Sequence, residues 1–204
     1  MNPLDPRSLL GSLGTLGVFL ALFAETGLLI GFFLPGDSLL FTAGLLSATS
    51  ATAALHLSLP WVIIAAVAGA LLGAQVGYLI GRSAGPGMLE RDDRPRLRMA
   101  AKRAQDALDR YGVGKAVVLA RFIPLVRTVL NPLAGALRVP AKTFTVWQVI
   151  GGLLWGIGVP VAGYVLGSQI PNIDTYLLPI IGAVVLVSLI PVVLEILRAR
   201  SSRS

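Results

Sequence analysis

Four charged side chains stand where a chain of this kind should carry none. From Ser8 to Leu55 the only ionisable side chains are Glu25 and Asp37, and in the apolar stretch 116–137 the only charges are Arg121 and Arg127. A lone charge at mid-membrane costs about 2.5–3.5 kcal/mol on insertion scales, so each must be paired, hydrated or neutralised. Arginine offers a planar fork that holds a phosphate or carboxylate by charge-assisted hydrogen bonds, but it does not usefully release its proton. A desolvated carboxylate does exchange a proton, which makes Glu25 and Asp37 the proton carriers and Arg121 and Arg127 the holders of an anionic group. Thr128 and Asn131, beside the second arginine, could donate further hydrogen bonds to that group. Two other readings use the same residues. In one, the opposite charges merely clamp two segments together, as in a membrane organiser that transports nothing. In the other, the carboxylates bind a small cation or drug and the arginines are counter-charges.

Composition narrows the chemistry further. There are no cysteines and a single histidine, His56, which removes disulfides, thiolate chemistry and any set of histidine ligands, so we expect no metal and no cofactor. His56 falls in a short outer loop and receives no function. An aspartyl intramembrane protease needs a second membrane aspartate, and a lipid phosphatase wants histidines within a basic cluster; neither pattern is present, and an enzyme is not expected. The net charge of +7 could suggest nucleic acid, but nine of the 17 basic residues lie between Arg82 and Lys115, beside apolar spans. That is the distribution of cytoplasmic loops, and nucleic acid is not an expected partner.

The elements that must position these charges follow from hydropathy. The chain is 55% hydrophobic with only 13% charged residues, too apolar for a soluble domain of 204 residues, and we read residues 1–204 as one integral membrane domain. Residues 59–81, 143–167 and 176–197 each supply enough apolar residues to cross the bilayer as helices. Residues 8–24 could cross or lie at the interface, and cleavage of this segment as a signal peptide is not expected, because the apolar run continues past the small residues at its end. The stretch 116–137 is interrupted by Arg121, Pro124, Arg127 and Pro132 and reads as a re-entrant hairpin. Parity agrees: the basic segments on either side of it both belong in the cytoplasm, and the basic tail at Arg198, Arg200 and Arg203 puts the C-terminus there too. Between the spans, Asp93 can cap a helix over about 94–111 that stops at Gly112; Leu97, Ala101, Ala104, Leu108 and Tyr111 form its apolar face, which we expect to lie on the cytoplasmic membrane surface.

The chain also repeats itself. "FLPGDSLLFTAGLL" (33–46) matches "FIPLVRTVLNPLAGAL" (122–137) in its Phe, aliphatic, Pro, charge and Ala-Gly order. Downstream, Trp61 stands 16 residues before "GYLIG" (77–81), and Trp147 stands 16 residues before "GYVLG" (163–167). Two copies of hairpin plus helix result, about 22–82 and about 113–168, entering from opposite faces as inverted repeats do. Pro35, Gly36, Pro124 and Pro132 should mark the hairpin tips, because broken backbone at membrane depth is tolerated only inside protein or beside a water-filled cavity. Gly69, Gly73, Gly77 and Gly81, with Gly152 and Gly156 in the second copy, are read as packing faces, within the chain or between copies in a homo-oligomer. The expected fold is thus an all-α polytopic membrane protein: two inverted repeats of re-entrant helical hairpin plus transmembrane helix, with an extra C-terminal transmembrane helix at about 176–197.

At these motifs the sequence resembles the DedA family, whose shared region is also called the SNARE-associated or VTT domain. The resemblance rests on "ETGLLIGFFLPGDSLLFTAGLL" (25–46), "RYGVGKAVVLARFIPLVRTVLNPLAG" (110–135) and "GGLLWG" (151–156), and it covers about residues 15–170. One departure is visible: the family usually has proline four residues after the second arginine, where this chain has Asn131 followed by Pro132. The resemblance implies a bacterial inner-membrane protein with opposed re-entrant hairpins. Members of the family include proton-motive-force-dependent translocases of undecaprenyl phosphate, and its functional residues map onto Glu25, Asp37, Arg121 and Arg127. The partners it implies are a lipid phosphate, protons and membrane lipids.

Overall fold

The structure, a computed structural model, describes residues 6–27, 36–50, 56–89, 95–170 and Pro179. Every element in these residues is a helix: α1 (Pro6–Gly27), α2 (Gly36–Ser47), α3 (Leu59–Leu89), α4 (Pro95–Ala120), α5 (Pro124–Ala136) and α6 (Ala141–Ser168). The expected helix at 176–197 and the hairpin tip at Pro35 lie outside the described residues, as does the cap at Asp93.

Two helices are long and apolar enough to cross a membrane, Leu59–Ala84 within α3 and all of α6. At 26 and 28 residues each reaches about 40 Å, more than the hydrocarbon core of about 30 Å. With 12 and 13 residues, α2 and α5 reach only about 20 Å and cannot cross alone. Each begins at the residue type that suits its start. Gly36 opens α2, and Pro124 opens α5 in the first turn, where its missing N–H is no loss. Pro132 is not at a tip. It lies inside α5, which continues through it to Ala136, so this part of the expectation is corrected: a proline removes one helical hydrogen bond but does not reverse the chain. Its backbone instead packs on α3, where a Cβ on Gly81 would come within 2.6 Å of Pro132 Cα.

Gly112 ends the first helical stretch of α4, as expected, and a second stretch follows it. Its φ of 75° and ψ of 154° are open to glycine and strained for other residues, and helix resumes directly afterwards, up to Ala120. The apolar face before the break is also not spent on lipid. Ala101, Ala104 and Leu108 are buried in a core with Tyr78, Val117, Leu130, Leu133 and Phe144, whereas Tyr111 is exposed. An amphipathic pattern does not distinguish lipid from protein as the partner of its apolar face, and here the partner is α5 and the start of α6. A second core joins Val18, Leu22, Leu40, Val62, Ala66 and Ala70 to Trp155.

The glycines of α3 are notches for other helices of the same chain. Gly69 faces the backbone of Phe19 and Gly73 that of Phe23, while Gly77 meets both Thr26 and Asn131, so one glycine stripe of α3 receives α1 and then α5. The short helices exchange partners: α5 packs on α3, and α2 packs on α6, where Gly44 meets the backbone of Pro160. At the far end of α5, Val139 N–H donates to Ala134 O and Arg138 N–H to Gly135 O, a cap that places Arg138 at φ 57°.

Candidate functional site

The charges converge because helical spacing puts each on an inward stripe. On α1, Leu22, Glu25 and Thr26 share a face; on α5, Arg127, Asn131 and Ala134 do. The buried stripe of α6 runs Phe144, Gln148, Gly151, Gly152, Trp155, Gly156, giving two large groups separated by glycine. Gly36 completes the first side, since a Cβ there would stand 2.7 Å from Glu25 Cδ; only a residue without a side chain leaves room for that carboxylate.

Arg127 is the centre of the cluster. Its Nη1 donates to Asp37 Oδ1 at 2.6 Å and its Nη2 to Glu25 Oε1, while its guanidinium lies 4.6 Å from the centre of the Trp155 ring. One cation therefore binds both acids of the first copy and stacks on an aromatic face, which suits the planar charge of arginine. The two acids are placed differently. The Glu25 side chain is 3% exposed and that of Asp37 is 40% exposed.

Arg121 sits in the turn between α4 and α5 and has no carboxylate partner among the described residues. It is 2% exposed, yet its only hydrogen bond among the described residues runs from Nη2 to Ala70 O at 3.4 Å; Nε and Nη1 have no partner there. The chain makes room for it with glycine: a Cβ on Gly152 would lie 3.3 Å from Arg121 Cζ, and one on Gly151 would lie 3.5 Å from its Cδ. Gly152 thus borders the Arg121 side chain as well as packing against Leu71 of α3.

Around this pair runs a neutral network. Asn131 Nδ2 donates to Thr26 O at 3.1 Å, and Gln148 Nε2 donates to Asn131 Oδ1 at 3.0 Å, which ties α1, α5 and α6 together one turn from Arg127. Thr26 returns its own hydroxyl to Leu22 O at 2.7 Å. The residue that replaces the family's usual proline is thus a connector. The side chain of Thr128 lies outside the described residues. His56, given no function, hydrogen-bonds the Thr49 carbonyl oxygen through Nδ1 at 3.1 Å.

The structure therefore brings Glu25, Asp37 and Arg127 into contact, sets Asn131 one turn further along α5 and places Arg121 nearby, with an unequal division of charge that the sequence does not show. It adds Trp155 and Gln148. Both carried a signal: Gln148 is a polar residue in the apolar run 143–167, and Trp155 falls seven residues after it, on the same helical face.

The described residues form a helical bundle with two membrane-length helices around a buried charge cluster, and comparison with known proteins gives the class, a helical membrane protein, and its family. The VTT domain matches residues 34–165, and the chain belongs to this DedA-type family of membrane proteins. Protein DedA of Escherichia coli K12 is 36% identical over 182 residues, covering 89% of this chain and 81% of its own. A membrane protein of Mycobacterium tuberculosis H37Rv is 37% identical over 208 residues, covering 98% and 88%. One of Mycobacterium leprae is 37% identical over 183 residues, covering 90% and 79%. No solved structure matches the chain significantly.

Proposed function

We propose that the protein is a transporter, not an enzyme, that carries a lipid phosphate across the bacterial cytoplasmic membrane: undecaprenyl phosphate or a related phospholipid, coupled to protons. The observation that carries this reading is Arg121, a buried guanidinium with two N–H groups unpaired among the described residues. A buried cation without a counter-ion costs several kcal/mol, and an anion that visits the site offsets that cost. The phosphate enters between the two short helices, engages Arg121 and then Arg127, and leaves on the other face while its prenyl tail stays in lipid. In this reading α1–α2 and the end of α4 with α5 are opposed re-entrant hairpins of two inverted repeats, in a multi-pass chain whose C-terminus is cytoplasmic. The exchange of partners between short and long helices supports that arrangement. A cation or drug antiporter would need carboxylates free to bind its cargo, and both are hydrogen-bonded to Arg127.

The test is transbilayer movement of undecaprenyl phosphate in proteoliposomes. Wild type should move the lipid, and Arg121→Gln should insert normally and not move it. No movement by wild type above empty liposomes, with or without an imposed pH gradient, overturns the reading.

A further inference from the structure

Arg127 cannot accept a phosphate as it stands. Each Nη already donates to a carboxylate, and Trp155 stacks on the guanidinium. Only Nε is unpartnered, and it is buried. Arg127 is only 3% exposed, so an incoming anion reaches its terminal nitrogens only where one of the two acids moves aside. They are not equivalent: Glu25 is enclosed, its carboxylate lodged against Gly36, while the side chain of Asp37 is 40% exposed.

The charges around the site then constrain what happens to the displaced carboxylate. Glu25 comes from α1, Asp37 from α2, Arg121 from the α4–α5 turn and Arg127 from α5, so the four charges balance to neutrality. From α3 the site meets the Ala70 carbonyl, and from α6 the uncharged Gln148 and Trp155. The ionisable Tyr78 and Arg82 of α3 are engaged with each other and with Val139 O. Adding a phosphate to a neutral, largely buried cluster leaves an excess negative charge beside an ionised Asp37, and like charges at that range disfavour each other strongly.

From this geometry we infer that Asp37 is the exchangeable counter-ion of Arg127: the lipid phosphate takes its place at Nη1 while Asp37 takes up one proton, so cargo and proton bind together and cross in the same direction. No covalent bond to the cargo forms or breaks; a phosphate oxygen replaces Asp37 Oδ1 as acceptor, and the proton comes from the water that reaches Asp37. Glu25 stays on Nη2 throughout and holds the guanidinium in register. The inference rests on the lipid-phosphate reading above and adds the sign of its proton coupling.

Calorimetric titration of the detergent-solubilised full chain with farnesyl phosphate tests it, run in two buffers of different ionisation enthalpy to count protons taken up per molecule bound. Wild type should take up one proton more than Asp37→Asn, which cancels any protonation of the probe itself. The ratio of the Asp37→Asn affinity to the wild-type affinity should rise about tenfold per pH unit in the alkaline direction, as one linked proton requires. Asp37→Glu should keep the extra proton, and Asp37→Ser should lose it as Asn does. Equal uptake by wild type and both neutral variants overturns the inference while leaving the transport reading intact. Absence of farnesyl phosphate binding, together with no movement of undecaprenyl phosphate, overturns both.

Discussion

Replacing Arg121 with methionine should make the protein more stable and inactive at once. Two guanidinium N–H groups of Arg121 are buried without a partner among the described residues, and each such donor costs about 1–3 kcal/mol. The one hydrogen bond lost, to Ala70 O at 3.4 Å, is at the long limit, and that carbonyl lies inside helix α3. Methionine fills most of the same volume and leaves a gap worth about 1 kcal/mol. The net gain is then about 1–4 kcal/mol, in line with other buried charges replaced by apolar groups. For a chain of this size each kcal/mol moves the melting temperature by about 2–4 °C, so an upward shift of about 2–16 °C is expected. Heating the detergent-solubilised protein and following the surviving monodisperse fraction reads this directly, and transport of undecaprenyl phosphate should be absent. Arg127→Met should go the other way, losing about 3–5 kcal/mol, because Glu25 and Asp37 would face each other without their cation. A drop of more than 2 °C for Arg121→Met would refute the reasoning, since it would mean that Arg121 is held by a counter-ion and is part of the scaffold.

Three further outcomes can be checked in the same way. Trp155→Phe should keep most of the stability, while Trp155→Leu, which removes the ring under Arg127 and opens a buried gap, should lose about 2–4 kcal/mol in the same melting assay. Gly81→Ala should destabilise by about 1–3 kcal/mol, because its Cβ would collide with the backbone of Pro132; Gly158→Ala, which meets nothing within 4 Å, should stabilise α6 by up to about 1 kcal/mol. Arg138→Gly should gain about 1 kcal/mol, since φ 57° is strained for arginine and easy for glycine.

The long helices were legible because hydropathy and length alone define them: the spans read at 59–81 and 143–167 lie within α3 and α6. The four charges were legible for a related reason, as few residues stand out more than a charge in an apolar run. What pairs with what was not legible. Arg121 and Arg127 have the same chemistry and similar neighbours in sequence, and their difference arises from lateral placement. The glycine notches of α3 bring α1 and α5 close enough for Arg127 to reach two acids, while Arg121 is turned toward Gly151 and Gly152. Pro132 was over-read, because a proline signals a break only where no neighbouring helix supports the backbone around it. The apolar face of α4 was assigned to lipid because Ala101, Ala104 and Leu108 would make the same stripe for either partner. Trp155 and Gln148 carry no charge, so an argument from burial of charge passes over them.

The ion cluster also has a timetable. Asp37 and Glu25 precede Arg127 by 90 and 102 residues, so at synthesis rates of about 5–20 residues per second they wait about 5–20 s for their cation. Their helices leave the ribosome, and α2 waits still longer for α6, its packing surface. During that interval two acids and a short helix must be kept at the insertion machinery or the interface, or held protonated in lipid. Folding of this chain is therefore not sequential: α1 can pack on α3 early, but α2 and the two acids find their partners only when α5 and α6 arrive, and a truncation before Arg127 should yield a product that is degraded rather than a stable half.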